Sequence, residues 1–218
     1  MSADTFSDIM AWIILGFACF SPGLFCIAVG LGIWCFRLLR LKCQALESEL
    51  ETAQESVRRL REENDRLALE EWFRSAADAQ YRNEIEVEVK FIYPLLRFLG
   101  YSSQSVSVRV PVEVYVGRQQ VKGEADWVLW DKLTDPSNPR AIAVIEAKAY
   151  TQSLGDQVQS QARSYAFGLN ASTYAVTNGQ RLLIFRRGVQ SDDCLVDCTV
   201  DDLSLAWPVI QEALGPAG

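Results

Sequence analysis

Apolar and polar positions change their spacing sharply along the 218-residue chain, and each change marks an element. From Ile9 to Phe36 no side chain is charged, a stretch longer than the ~20 apolar residues that carry a helix across a bilayer. It predicts one transmembrane helix over 9–36, kinked at Pro22, because two spans folding back at Ser21-Pro22-Gly23 would each be too short. A cleaved signal peptide is the competing reading, but Asp4 and Asp8 stand where its basic leader would be. Arg37, Arg40 and Lys42 come after the run, so the positive-inside rule predicts a single-pass inner-membrane protein with residues 1–8 outside and everything after Phe36 in the cytoplasm.

Over residues 37–75 the apolar spacing becomes that of a coiled-coil stalk. Leu39, Leu46, Ala53, Leu60 and Leu67 recur at one core position, and Cys43, Leu50, Val57 and Asn64 at the other. Asn64 and a common tether favour two parallel chains, which predicts a homodimer through residues 39–67. A single amphipathic stalk helix is the other reading, because the flanking Glu49 and Gln54 offer no clear interchain pair.

After a hinge at Glu70–Phe73, residues 76–218 alternate strand and helix patterns. Tyr81 to Leu99 reads as a helix with Ile85, Val89, Ile92, Leu95, Leu96 and Leu99 on one broad face and Glu84 and Glu88 one turn apart on another. Val106–Val110 and Val112–Val116 alternate as strands interrupted by Pro111, which suggests a sheet edge or a bulge. Trp127–Trp130 and Ala141–Ile145 are buried strands on either side of an Asp135-Pro-Ser-Asn-Pro139 loop. A helix over 155–167, strands near 173–176, 181–186 and 195, and a closing helix over 208–214 complete an α/β order.

The chemistry gathers where the two buried strands turn polar. Side chains alternate faces along a strand, so Glu146 and Lys148 project from one side at the end of the Ala141–Ile145 run. If that strand pairs so that Asp126 of Gly123-Glu-Ala-Asp126 lies beside Glu146, two carboxylates and an ammonium converge. Asp126 and Glu146, with the Ala147 carbonyl, then suit Mg²⁺ or a substituting Mn²⁺, and Lys148 would orient a water or stabilise transition-state charge. A cross-strand ion pair on a solvated sheet fits the same spacing, and spacing alone leaves both open. Gln161 and Tyr165, four apart on the helix, can reach a phosphate or a base edge, or Tyr165 can simply pack.

Composition narrows the alternatives. The chain has no histidine, which excludes HNH-type and His-ligated zinc chemistry, and its six cysteines have no zinc spacing. The formal net charge of −7 argues against a nucleic-acid enzyme with a broad basic footprint. Contact with nucleic acid would have to rest on a local patch of Arg118, Lys122, Lys132 and Arg163.

The landmarks Asn83-Glu84, Pro94-Leu-Leu, Leu99-Gly-Tyr101, Gly123-Glu-Ala-Asp126, Ile145-Glu-Ala-Lys148, Gln161-Ala-Arg-Ser-Tyr165 and Thr177-Asn-Gly179 occur in an order and spacing that resemble one family. The stretch from about Asn83 to Arg187 is similar to the N-terminal nuclease domain of type I restriction enzyme R subunits, a branch of the PD-(D/E)xK nucleases. Ala125 departs from the proline of the generic signature, and the motor ATPase of an R subunit is absent from this chain. The resemblance implies a restriction-endonuclease-like fold, catalytic positions at Asp126, Glu146 and Lys148, a helix carboxylate at Glu84 and an accessory QxxxY motif at Gln161 and Tyr165. It also implies a metal-dependent DNA endonuclease but no translocase or restriction-complex role; together with the membrane anchor it suggests defence against phage or plasmid DNA, with an additional defence-system protein as a candidate partner. A catalytically silent nucleic-acid-binding module and a membrane scaffold acting through its coiled coil are the alternatives.

Overall fold

The computed structural model describes residues 22–116, 119–131 and 139–216, and the chain divides into two units, Met1–Asn64 and Asp65–Gly218. In the first unit the described residues are helical, part of α1 (Pro22–Ala77). Glu55 pairs with Arg58 and Arg59 one turn on, as expected of an exposed helix. Among the described residues no helix is long and apolar enough to cross a membrane. This corrects the expected transmembrane helix over 9–36 and the single-pass, N-terminus-out placement. The part of that run on the described helix, residues 22–36, falls short of the ~20 residues a span needs; its remainder, residues 9–21, lies outside the described residues.

The expected coiled-coil stalk is also corrected. Leu39, Leu46, Leu50, Val57, Leu60 and Leu67 are exposed along α1 and build no core. The residues of α1 that do enter a core lie on its last turns and on another face: Trp72 and Ala76 are buried in the core of the second unit, with Leu69 and Phe73 against it. The hinge expected at Glu70–Phe73 is therefore continuous helix.

The second unit is built on a six-stranded sheet in the order β1 (Val106–Val116), β2 (Gln119–Asp131), β3 (Arg140–Ala147), β4 (Thr173–Thr177), β5 (Arg181–Arg186), β6 (Asp193–Thr199). All neighbours are antiparallel except β3 and β4, which run parallel and are joined through α4 (Asp156–Gly168). Pro111 lies inside β1, an edge strand, the position in a sheet where proline is tolerated. One face carries the end of α1, the helical stretch from Glu84 to Phe98, and α5 (Leu203–Leu214); the other carries α4. In α5, Leu203, Trp207, Ile210 and Leu214 are buried at helical spacing, so the closing helix begins earlier than the expected 208 and holds Pro208 in its interior.

The helix expected over 81–99 forms, but only its second half keeps the expected phase. It starts as α2 (Glu84–Val87), where the Asn83 side chain accepts the Glu86 N–H, passes through a π turn (Glu88–Ile92) and ends as α3 (Tyr93–Phe98). A π turn inserts an extra residue and so rotates the later residues about the helix axis. After the turn Ile92, Leu95, Leu96 and Leu99 are buried as expected, whereas before and within it Val87 and Phe91 are buried and Ile85 and Val89, expected in the core, are exposed.

Close packing of α4 on β1 leaves no room for a side chain at Gly168, where an added Cβ would lie 2.6 Å from Val112 Cγ1 and 3.1 Å from the Glu113 carbonyl oxygen. Gly168→Ala should therefore lower stability: overpacking costs roughly 1–3 kcal/mol against about 1 kcal/mol gained in helix propensity. A lower urea midpoint at unchanged m-value checks it.

Candidate active site

The pairing of β2 with β3 sets Trp127 opposite Ile145, so Asp126 and Glu146 are the next facing positions. Asp126 Oδ2 accepts the Ala147 N–H at 2.9 Å, and the Lys148 N–H donates to the Thr177 carbonyl at 2.8 Å, which fixes the end of β3 against β4. The Lys148 ammonium meets Glu146 Oε1 at 2.5 Å and Glu84 Oε1 of α2 at 3.8 Å. Asp126, Glu146, Lys148 and Glu84 are thus gathered as expected, with Glu146 only 2% exposed.

Two further residues belong to the cluster. Arg109 on β1 donates from Nη1 to Asp126 Oδ1 at 3.2 Å and from Nη2 to Glu88 Oε1 at 2.6 Å. Glu88, which spacing alone does not separate from Glu84, is brought inside by the π turn and is buried. Sequence pattern does not single out Arg109, because it reads as an ordinary polar position in an alternating strand. Its backbone is the exception: φ is +55°, a left-handed conformation that costs a non-glycine residue roughly 1–2 kcal/mol. The ladder skips it, going from Val108 opposite Trp127 to Val110 opposite Ala125. Val106 and Trp127 pack toward one core but Val110 and Ala125 toward the other, although residues an even number apart on a regular strand keep one face. The facing changes hands at Arg109 and Asp126.

Burial controls the electrostatics here. Desolvation, with Asp126 next, pushes the Glu146 carboxyl up to about 7 against the relief from Lys148. Burial also raises Asp126 and Glu88, in both cases against Arg109. A raised carboxyl holds its proton longer in the folded chain than in the unfolded one, so stability is highest below the unfolded pKa and is lost as pH rises. The metal-free protein should lose stability between pH 4.5 and about 7, read as a falling urea midpoint across that window. Asp192 and Asp197, lowered by their arginine partners, act only at more acidic pH.

Glu146 Oε2 is buried and has no hydrogen-bond partner, an arrangement that costs about 1–3 kcal/mol or more for a charged group. Among the described residues no group of three or more His, Cys, Asp or Glu side chains is arranged to hold a metal ion. The donors available are the Asp126 and Glu146 carboxylates and the Ala147 carbonyl, all oxygen, and the orphaned Oε2 fits a hard cation that would complete it.

The accessory residues are less concentrated. Gln161 Nε2 donates to the Tyr165 hydroxyl at 3.2 Å, and the Tyr165 ring lies over Gly123, where an added Cβ would collide with it. The motif thus touches the strand that carries Asp126. Arg163 is held by Asp192 at 2.6 Å, which also accepts the Tyr174 hydroxyl at 2.7 Å, so it is spent on structure. Lys122 is exposed on β2, and Arg118 and Lys132 lie outside the described residues.

The family model for the type I restriction enzyme R protein N terminus matches residues 83–195. Among solved structures, a fragment assigned to the HsdR subunit of a type I restriction enzyme from Vibrio vulnificus YJ016 is similar at 22% sequence identity and a TM-score of 0.40. That similarity covers 61% of this chain and 26% of the other, so this chain spans only a minor part of that one's length. No curated protein matches.

Proposed function

Because the chain belongs to the family of the type I restriction enzyme R protein N terminus, we propose that its second unit is a divalent-cation-dependent endonuclease domain that hydrolyses DNA phosphodiester bonds. The observation that carries this reading is the Glu146 carboxylate, buried beside Asp126 and Lys148 with one oxygen unsatisfied. Burying charge so poorly compensated destabilises a fold and is retained where it serves a site.

Asp126, Glu146 and the Ala147 carbonyl would hold Mg²⁺, with Mn²⁺ able to substitute. When bound, the cation supplies Lewis-acid polarisation of a phosphoryl oxygen. Lys148 places a positive charge beside the same spot, where it can orient an attacking water and stabilise charge that develops on the phosphate. Glu84, 3.8 Å from Nζ, helps keep that amine aimed. Glu88 is linked to Asp126 by hydrogen bonds through Arg109. Gln161 and Tyr165, set against Gly123, are positioned to meet the nucleic-acid backbone approaching along β2, with Lys122 as the exposed cation nearby.

The test is conversion of supercoiled plasmid to nicked or linear forms by the full chain. Cleavage is expected with Mg²⁺ or Mn²⁺ and none with EDTA; intact plasmid in every divalent cation would overturn the proposal. The second reading, a silent nucleic-acid-binding module, draws on the pairing of both carboxylates with cations in the free protein. It is favoured by retarded DNA in a gel-shift assay without cleavage. The cellular role that fits the family is restriction of foreign DNA, for which phage should plate less efficiently on cells carrying the wild-type chain than on cells carrying Glu146→Gln.

A further inference from the structure

Resting on the reading of Asp126 and Glu146 as cation ligands, we infer that Arg109 is an exchangeable counter-ion. It neutralises Asp126 in the metal-free protein and is displaced from that carboxylate when a divalent cation binds.

Four observations converge on Arg109. Its guanidinium already occupies Asp126 Oδ1 at 3.2 Å, an oxygen that a cation between Asp126 and Glu146 would compete for. Its second bond, to Glu88 Oε1, is shorter at 2.6 Å, so the contact to Asp126 is the weaker of the two and the one to be given up. The side chain is 47% exposed against 11% for Lys148, which leaves the guanidinium a route to solvent that the ammonium lacks. The strand is bent through a left-handed backbone to aim it here, where the ladder is interrupted opposite Asp126.

Charge fits the exchange. Glu84, Glu88, Asp126 and Glu146 face Arg109 and Lys148, so the cluster lacks the formal charge of one divalent ion. A cation arriving at Asp126 meets the guanidinium as a like charge at close range, and separation relieves that repulsion. Held by Glu88 alone, Arg109 then presents free N–H donors at the mouth of the site, in the geometry that grips a backbone phosphate. The cation thereby prepares the site for substrate.

Isothermal titration of EDTA-treated full chain with Mn²⁺ tests this, with Asp126→Asn as the baseline for binding elsewhere on an acidic protein. Arg109→Gln removes the charge while keeping bulk and hydrogen bonding; Arg109→Gly removes it while relaxing the left-handed backbone, so the fold is secured in at least one of them. Both are expected to bind Mn²⁺ about tenfold more tightly than the wild type through loss of the competing cation. Unchanged or weaker binding in both would mean that Arg109 is only a structural brace and would overturn the inference, as would tightening in Arg109→Gly alone, which would trace to the backbone. Absence of any Asp126-dependent Mn²⁺ binding in the wild type would instead overturn the metal reading beneath it.

Discussion

Glu146→Gln should abolish cation-dependent cleavage and at the same time make the metal-free protein more stable. The loss of activity comes from removing a charged oxygen ligand: a cation contributes several kcal/mol of transition-state stabilisation, so cleavage should fall roughly a thousandfold. The gain in stability comes from burial. Glu146 is 2% exposed and its carboxyl is pushed up to about 7, meaning that the fold favours the neutral form. An amide of the same shape is neutral at every pH and still accepts from Lys148. At pH 8 the variant should gain on the order of 2 kcal/mol over the metal-free wild type, and its urea midpoint should fall less steeply between pH 4.5 and 7, keeping only the slope due to Asp126 and Glu88. Saturating Mn²⁺ should reverse the order by stabilising the wild type alone. A variant that loses activity and stability together would show that the carboxylate is held for packing.

The central pair of strands is legible in the chain because both determinants are local. Trp127–Trp130 and Ala141–Ile145 are apolar enough to demand burial, and the two polar ends make sense only if Asp126 and Glu146 are level, which is the register observed. Period-2 alternation exposes β1, and the turn at Asn178-Gly179, where φ is +81°, is marked by its residue types. The phase of the Glu84–Phe91 stretch is not legible, although Ile92, Leu95, Leu96 and Leu99 are buried on the face that spacing gives them. A face drawn at 3.6 residues per turn fails there, and nothing in Glu88–Ile92 announces the extra residue of a π turn. The site bears the consequence, since that residue decides whether Glu88 or Val89 turns inward.

Residues 22–77 show the complementary failure. Helix formation is legible, because Glu, Arg, Leu and Ala dominate from Leu39 onward, but the meaning of an apolar stripe on a helix depends on what it meets. The stripe that suggests a coiled coil at Leu60 and Leu67 would run on to Glu71 and Arg74, whereas Leu69, Trp72, Phe73 and Ala76 form a separate stripe that packs into the folded unit, where the Trp72 ring meets Phe91, Phe98 and Trp207. Arg109 is illegible for another reason. Its role lies in a backbone angle that only the tertiary structure imposes, and sequence spacing carries no trace of it.

Lys148→Met is expected to act in the opposite direction from Glu146→Gln on stability, although both remove one member of the same ion pair. Methionine matches the stem of lysine in length but leaves Glu146 without the ammonium at Oε1, beside Asp126 and with Oε2 already unpartnered. Breaking a buried pair from the side whose partner stays charged typically costs about 3–5 kcal/mol. The chain then has two ways to relieve the charge: it can take up a proton or bind a cation. The metal-free Lys148→Met protein should therefore be markedly less stable than the wild type at pH 8, recover most of the deficit at pH 5, and recover it at pH 8 when Mn²⁺ is added. Cleavage should stay lost under all three conditions, since the missing amine acts on the water and phosphate that the carboxylates do not reach. Urea unfolding at both pH values with and without Mn²⁺ checks this. A deficit insensitive to pH and cation would show that Lys148 contributes packing alone, whereas rescue of stability without rescue of cleavage separates the charge it balances from the chemistry it performs.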